Sequence, residues 1–163
     1  MVYLKSLFLI IIISLVSCDD KPDRIYAEKH DVSFDADILN KLMSFPRYPI
    51  SVKWETRELN NKEAGSLVAL LEYSEQEYHD IVKSSKPFDT VRNDRLAIYL
   101  YDTFLPDKSK QGIHTQSDGV YYELLNVSAL HANIFTNSEL SPYVNGSVTP
   151  LSNGFVLVSL YSM

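Results

Sequence analysis

The chain has 163 residues, 45% of them hydrophobic, a net charge of −6 and a single cysteine. That length makes one domain whose core needs no metal or disulfide staple, and one cysteine excludes an internal disulfide. An acidic balance argues against nucleic acid and against purely electrostatic adhesion to anionic headgroups, and it suits a basic protein partner or simple solubility.

Residues 1–17 have the parts of a secretory signal. Lys5 stands near the start, and Leu7 to Ile13 with Leu15 and Val16 form an apolar core too short to span a bilayer, which takes about 20 residues. The segment ends Leu15-Val16-Ser17-Cys18. This run resembles the lipobox of bacterial prolipoproteins. The resemblance implies cleavage before Cys18, with Leu15, Val16 and Ser17 read by the signal peptidase and lipid attached to the cysteine. Two or three acyl chains together give a stable anchor, where one gives marginal binding. Asp19, directly after the cysteine, resembles the inner-membrane retention signal of enteric bacteria. The expectation is therefore a lipid-anchored protein facing the periplasm, with the inner membrane favoured. Loss of Lys5 with the leader takes the net charge from −6 to −7.

Residues 18–32 are polar, contain Pro22 and show no apolar period, so they read as a tether, with one domain over 33–163. Asp35 is placed to cap a short helix presenting Ile38, Leu39, Leu42 and Met43, which Pro46 and Pro49 end. Ile50, Val52 and Trp54 then alternate with Ser51, Lys53, Glu55 and Arg57, predicting a strand with one buried and one solvated face. Asn60-Asn61-Lys62 marks a turn. Leu67 to Leu71 is apolar on both faces and reads as a central strand. Ser74 and Glu77 form a capping box for a helix buried along Tyr78, Ile81 and Val82.

Residues 95–105 fit either a helix or a buried strand, and the spacing of Leu96, Tyr99, Leu100 and Phe104 favours helix. Asp118-Gly119 leads into a strand over 120–125, and 128–135 reads as a short helix. Two last strands flank Asn153-Gly154, a tight hairpin turn, with Pro150 at an edge or bulge and 155–158 buried on both faces. These elements make an α+β fold: an antiparallel or mixed sheet with a few helices packed on one face and a C-terminal β-hairpin. The stretch from Val32 through Ser51-Val52-Lys53-Trp54-Glu55 to Leu67-Val68-Ala69 resembles uncharacterised small proteobacterial proteins, a likeness that carries no activity.

The chain has no G-x-S-x-G, no phosphate loop and no H-E-x-x-H, and only five glycines. The histidines His30, His79, His114 and His131 are widely spaced, with no ligand pair at helical intervals. No metal and no cofactor are expected. Glu55, Glu72 and Glu123 fall on strands and could serve a glycan hydrolase if two faced each other across a cleft. Trp54 reads as core. Asn126-Val127-Ser128 and Asn145-Gly146-Ser147 match the glycosylation sequon, but with a bacterial leader they read as turn or strand residues. Eleven tyrosines against one tryptophan suit a protein interface as well as packed strands. The leading expectation is a non-catalytic binding lipoprotein, for example an immunity protein or inhibitor that neutralises a toxin or envelope enzyme. The alternatives are a carboxylate-dependent envelope hydrolase and an assembly factor for an envelope or secretion complex.

Overall fold

A computed structural model describes residues 32–58, 65–90, 93–136 and 142–162. The leader, Cys18, the tether, His30 and the turn at residues 60–62 lie outside them. The fold is α+β. A five-stranded antiparallel sheet runs in the order β1 (Ser51–Glu58), β2 (Gly65–Glu72), β8 (Phe155–Ser162), β7 (Tyr143–Pro150), β6 (Leu130–His131). A smaller sheet, in the order β3 (Asn93–Ala97), β5 (Tyr121–Ser128), β4 (Thr115–Ser117), packs over one face of it. Helices α1 (Ala36–Leu42) and α2 (Glu75–Ser84) cover the other face.

This layering follows from β2 and β8, which are apolar in both directions. Leu67, Ala69 and Leu71 with Val156, Val158 and Leu160 face the helices, while Val68, Leu70, Phe155 and Leu157 face the small sheet. A strand buried on both sides has to be central, and both strands are. Asn153 and Gly154 take φ of 58° and 79°, the left-handed pair that a two-residue hairpin needs. Pro150 lies at the end of β7 beyond the reach of β6, so its missing N–H costs no ladder bond.

Both helices begin where their caps dictate. The Asp35 carboxylate accepts from the Ile38 N–H at 2.9 Å. Ser74 and Glu77 form the reciprocal capping box, worth about 1 kcal/mol to the helix. Leu39, Met43 and Ile81 are buried against β1, β2 and β8, with Leu42 and Tyr78 partly so. Trp54 is core, and its indole N–H donates to the Asp35 carbonyl at 3.0 Å.

Three local expectations are corrected. Residues 95–105 are part strand and part helix: β3 ends at Ala97, and a helical segment from Ile98 follows, π-helical over Leu100–Phe104. Leu96, Leu100 and Phe104 stand four apart and imitate a helical stripe. Leu96 nevertheless pairs with Tyr122 of β5, and all three bury in the core between the sheets. Residues 128–135 are not a helix. β5 continues to Ser128, Leu130 and His131 pair with Val148 and Ser147, and one turn closes on Phe135. Lastly, the alternation in β1 holds for the buried Val52 and Trp54 against the exposed Ser51 but fails at two positions. Ile50 is 67% exposed, whereas Glu55 on the face expected to be solvated is 1% exposed, bonded by Tyr99 and Arg57.

Candidate functional site

A cleft of about 470 Å³ opens where the two sheets diverge, at the β6–β7 side of the molecule. Its floor is the open end of the hairpin, Asn145 and Ser147 on β7, with Tyr161 of β8 at the rim. Asn93, Asp94 and Arg95 of β3 form one wall, and Phe88, His131 and Asn133 form the other. The mouth is built by a bulge: Tyr143 pairs with Ser162 but Asn145 with Tyr161, so β7 gains a residue and Val144 swings outward. Gly146 follows directly. A Cβ there would stand 2.2 Å from the Ser159 carbonyl oxygen, so only glycine lets β7 and β8 close up beneath the cleft.

The polar groups of the cleft are held from outside it. Asp94 accepts from its neighbour's backbone, Arg95 N–H, at 2.9 Å and from the hydroxyl of the fully buried Thr149. Arg95 pairs with Asp118 and lies over the Tyr121 ring at 5.0 Å. Hydrogen bonds from the Tyr121 and Val120 N–H groups, with Arg95 adding to them, hold the Asp118 carboxyl below the usual carboxylate range. His131 stacks on Phe88, ring centroids 3.8 Å apart, and donates its backbone N–H to the Lys86 carbonyl. The cleft therefore presents amides, hydroxyls, one carboxylate, one guanidinium and the His131 imidazole, rimmed by the half-exposed Val144 and Tyr161. That set can bind by hydrogen bonding and aromatic contact.

A second, shallower cleft of about 350 Å³ lies at the opposite edge of the large sheet, between β1 and the π-helical turn. Glu72 lines it and accepts from Lys108 Nζ at 2.7 Å and Ser51 Oγ at 2.6 Å. These bonds, that from Lys108 first, hold the Glu72 carboxyl below its ordinary range. Lys53 donates to the carbonyls of Phe104 and Thr103, at 2.8 and 3.2 Å, and burial pushes its ammonium pKa down.

The three strand glutamates do not converge. Glu55 is buried with Arg57 Nε at 2.9 Å and the Tyr99 hydroxyl. Glu72 belongs to the second cleft, and Glu123 accepts from Asn93 Nδ2 at 2.8 Å. Neither cleft presents two carboxylates across a gap. His79 and His114 are exposed on separate elements, and among the described residues no three His, Cys, Asp or Glu side chains gather as a metal site requires. Asn126 and Asn145 are strand residues, and Asn126 bonds the Gly112 carbonyl and the His114 N–H. Sequence reasoning missed the cleft itself. Its one visible signal was Gly146 inside an otherwise regular strand, a common mark of a bulge or close backbone approach.

Among the described residues no helix is long and apolar enough to cross a membrane. Comparison with protein-family models, with curated proteins and with solved structures returns no match to this chain.

Proposed function

We propose that this protein is a lipid-anchored periplasmic binding protein, held by Cys18, that captures a protein partner at the cleft between its sheets. The observation that carries the reading is the make-up of that cleft. Asn93, Asn133, Asn145 and Ser147 offer hydrogen bonds, and Tyr161 and Val144 add apolar contact at the rim. Interfaces combine these features, with aromatic side chains as anchors and a polar rim around them. The net charge of −6 favours a basic partner. An immunity protein or inhibitor, which must block a toxin or envelope enzyme by contact alone, fits this description.

The test is crosslinking of the lipidated full chain to its cellular envelope, wild type beside Asn145→Arg, with toxin sensitivity scored in a strain lacking the gene. The bulky cation should abolish a specific crosslink by filling the cleft mouth and repelling a basic partner. The same crosslinks from both proteins, with unchanged sensitivity in the deletion strain, contradict the proposal.

A further inference from the structure

Ten large apolar side chains are exposed among the described residues, and five of them, Val32, Phe34, Ile38, Tyr48 and Ile50, fall within residues 32–50. They crowd the β1 edge of the large sheet. Ser33 pairs with Trp54 along that edge, which sets Phe34 beside Ser51 and Val52 at the second cleft. The Tyr48 hydroxyl donates to Asp37 at 3.1 Å, which holds its ring against the outside of α1. Phe34 is 69% exposed and Tyr48 59%, and it is the gathering of such side chains, not any one of them, that marks an interaction surface. The two carboxylates in the patch are occupied: Asp35 caps α1, and Asp37 holds Tyr48. Lys41 and Arg47 are exposed at its border.

The chain enters the domain through this patch, at Val32. If Cys18 is lipidated, residues 18–31 are all that separate the patch from the bilayer. A chain of that length spans ~20 Å as a coil and ~50 Å at full stretch. A domain of this size is ~35 Å across. That range brackets the domain's width, and the face at which the chain enters is the one the tether brings nearest the membrane. We infer that the apolar apron of Phe34, Ile38, Tyr48 and Ile50 docks into the interfacial layer of the bilayer, and so orients the domain on its anchor. This rests on the lipoprotein reading. The net negative charge opposes adhesion by charge alone, so the docking is carried by apolar area and aromatic rings at headgroup depth, as in membrane-interface belts. The cleft opens three strand spacings away, ~14 Å, at the β6–β7 side of the sheet. A domain seated on its β1 edge turns the cleft away from the lipid, toward a soluble partner.

The experiment uses the full chain in vesicles of phosphatidylethanolamine and phosphatidylglycerol. An environment-sensitive fluorophore is attached at Phe34→Cys, Ile50→Cys or, as the distant control, Asn145→Cys at the mouth of the first cleft. Mass spectrometry of the same preparations reports the lipid on Cys18. With the lipid present, bilayer nitroxides should quench the labels at 34 and 50 several-fold more than the label at 145, and added salt should not reverse it. Lipid on Cys18 with equal quenching at all three sites overturns the docking and leaves the anchor intact. Labels at 34 and 50 that are shielded from aqueous iodide yet not quenched by lipid nitroxide show another protein surface on the patch, which also overturns it. An unmodified Cys18 removes the anchor and the docking together.

Discussion

The Tyr99 hydroxyl, at the head of the π-helical turn, donates to Oε1 of Glu55 on β1, and Arg57 Nε donates to the same oxygen at 2.9 Å. The Arg57 guanidinium also lies over the Tyr99 ring, 4.3 Å from its centroid. Two residues along β1, Lys53 binds the last carbonyls of the same turn. β1 thus pins both ends of an irregular segment through polar side chains, beside the apolar packing of Leu100 and Phe104 in the core. Tyr99→Phe leaves a buried carboxyl group short of one donor and should cost about 1–2 kcal/mol. Chemical denaturation of Glu55→Gln, Tyr99→Phe and the double variant checks it, with a coupling energy of about 1 kcal/mol or more expected. Additive single effects would mean the bond contributes nothing.

Gly146 is the most constrained position at the cleft. Gly146→Ala places a methyl group against the Ser159 carbonyl and Leu160, and the strands must part to admit it. A loss of about 3 kcal/mol is expected, at the upper end for overpacking because backbone rather than a side-chain tip is in the way. Thermal unfolding measures it. An unchanged midpoint would show that β7 and β8 are not closed beneath the cleft.

Tyr73 offers the opposite test. It is buried in the core on the helix face, and its hydroxyl has no hydrogen-bond partner among the described residues. Burial, with Glu77 nearby, pushes its phenol well above the usual range. Tyr73→Phe keeps the ring and removes the unpaired polar atom, so stability should rise by about 1 kcal/mol. A drop of that size would show that the hydroxyl is paired.

Glu72 sets part of the acid limit. Its folded-state pKa is depressed by Lys108 and Ser51, so the pair stabilises the fold above the ordinary carboxylate pKa of 4.5. That contribution is lost as pH falls from there through the lower folded-state value. In a pH series of unfolding midpoints, Glu72→Gln should lie below wild type at neutral pH and converge with it in acid. Parallel curves would remove the ion pair from the account.

The elements legible in the sequence were those with a local cause. The Asp35 cap, the Ser74–Glu77 box, the Asn153-Gly154 turn and the doubly apolar runs of β2 and β8 each carry their own physical signature, and each stands where expected. The misread elements answer to distant partners. Residues 95–97 became strand because β5 supplies a pairing edge, and Glu55 was taken for a surface residue because Tyr99, which covers it, is 44 positions away. The cleft escaped notice for the same reason, since it draws on β3, β6, β7 and β8 and on no contiguous motif.

The claim that this is a tethered binding protein is tested most directly at its tether. Wild type and Cys18→Ala should be expressed in a Gram-negative host with labelled palmitate, and the envelope separated from the soluble fraction. The account predicts a labelled, shortened chain that stays with the membrane, and a Cys18→Ala chain that is unlabelled and either released or left unprocessed. Normal processing and membrane retention of Cys18→Ala, without label in either protein, would contradict it.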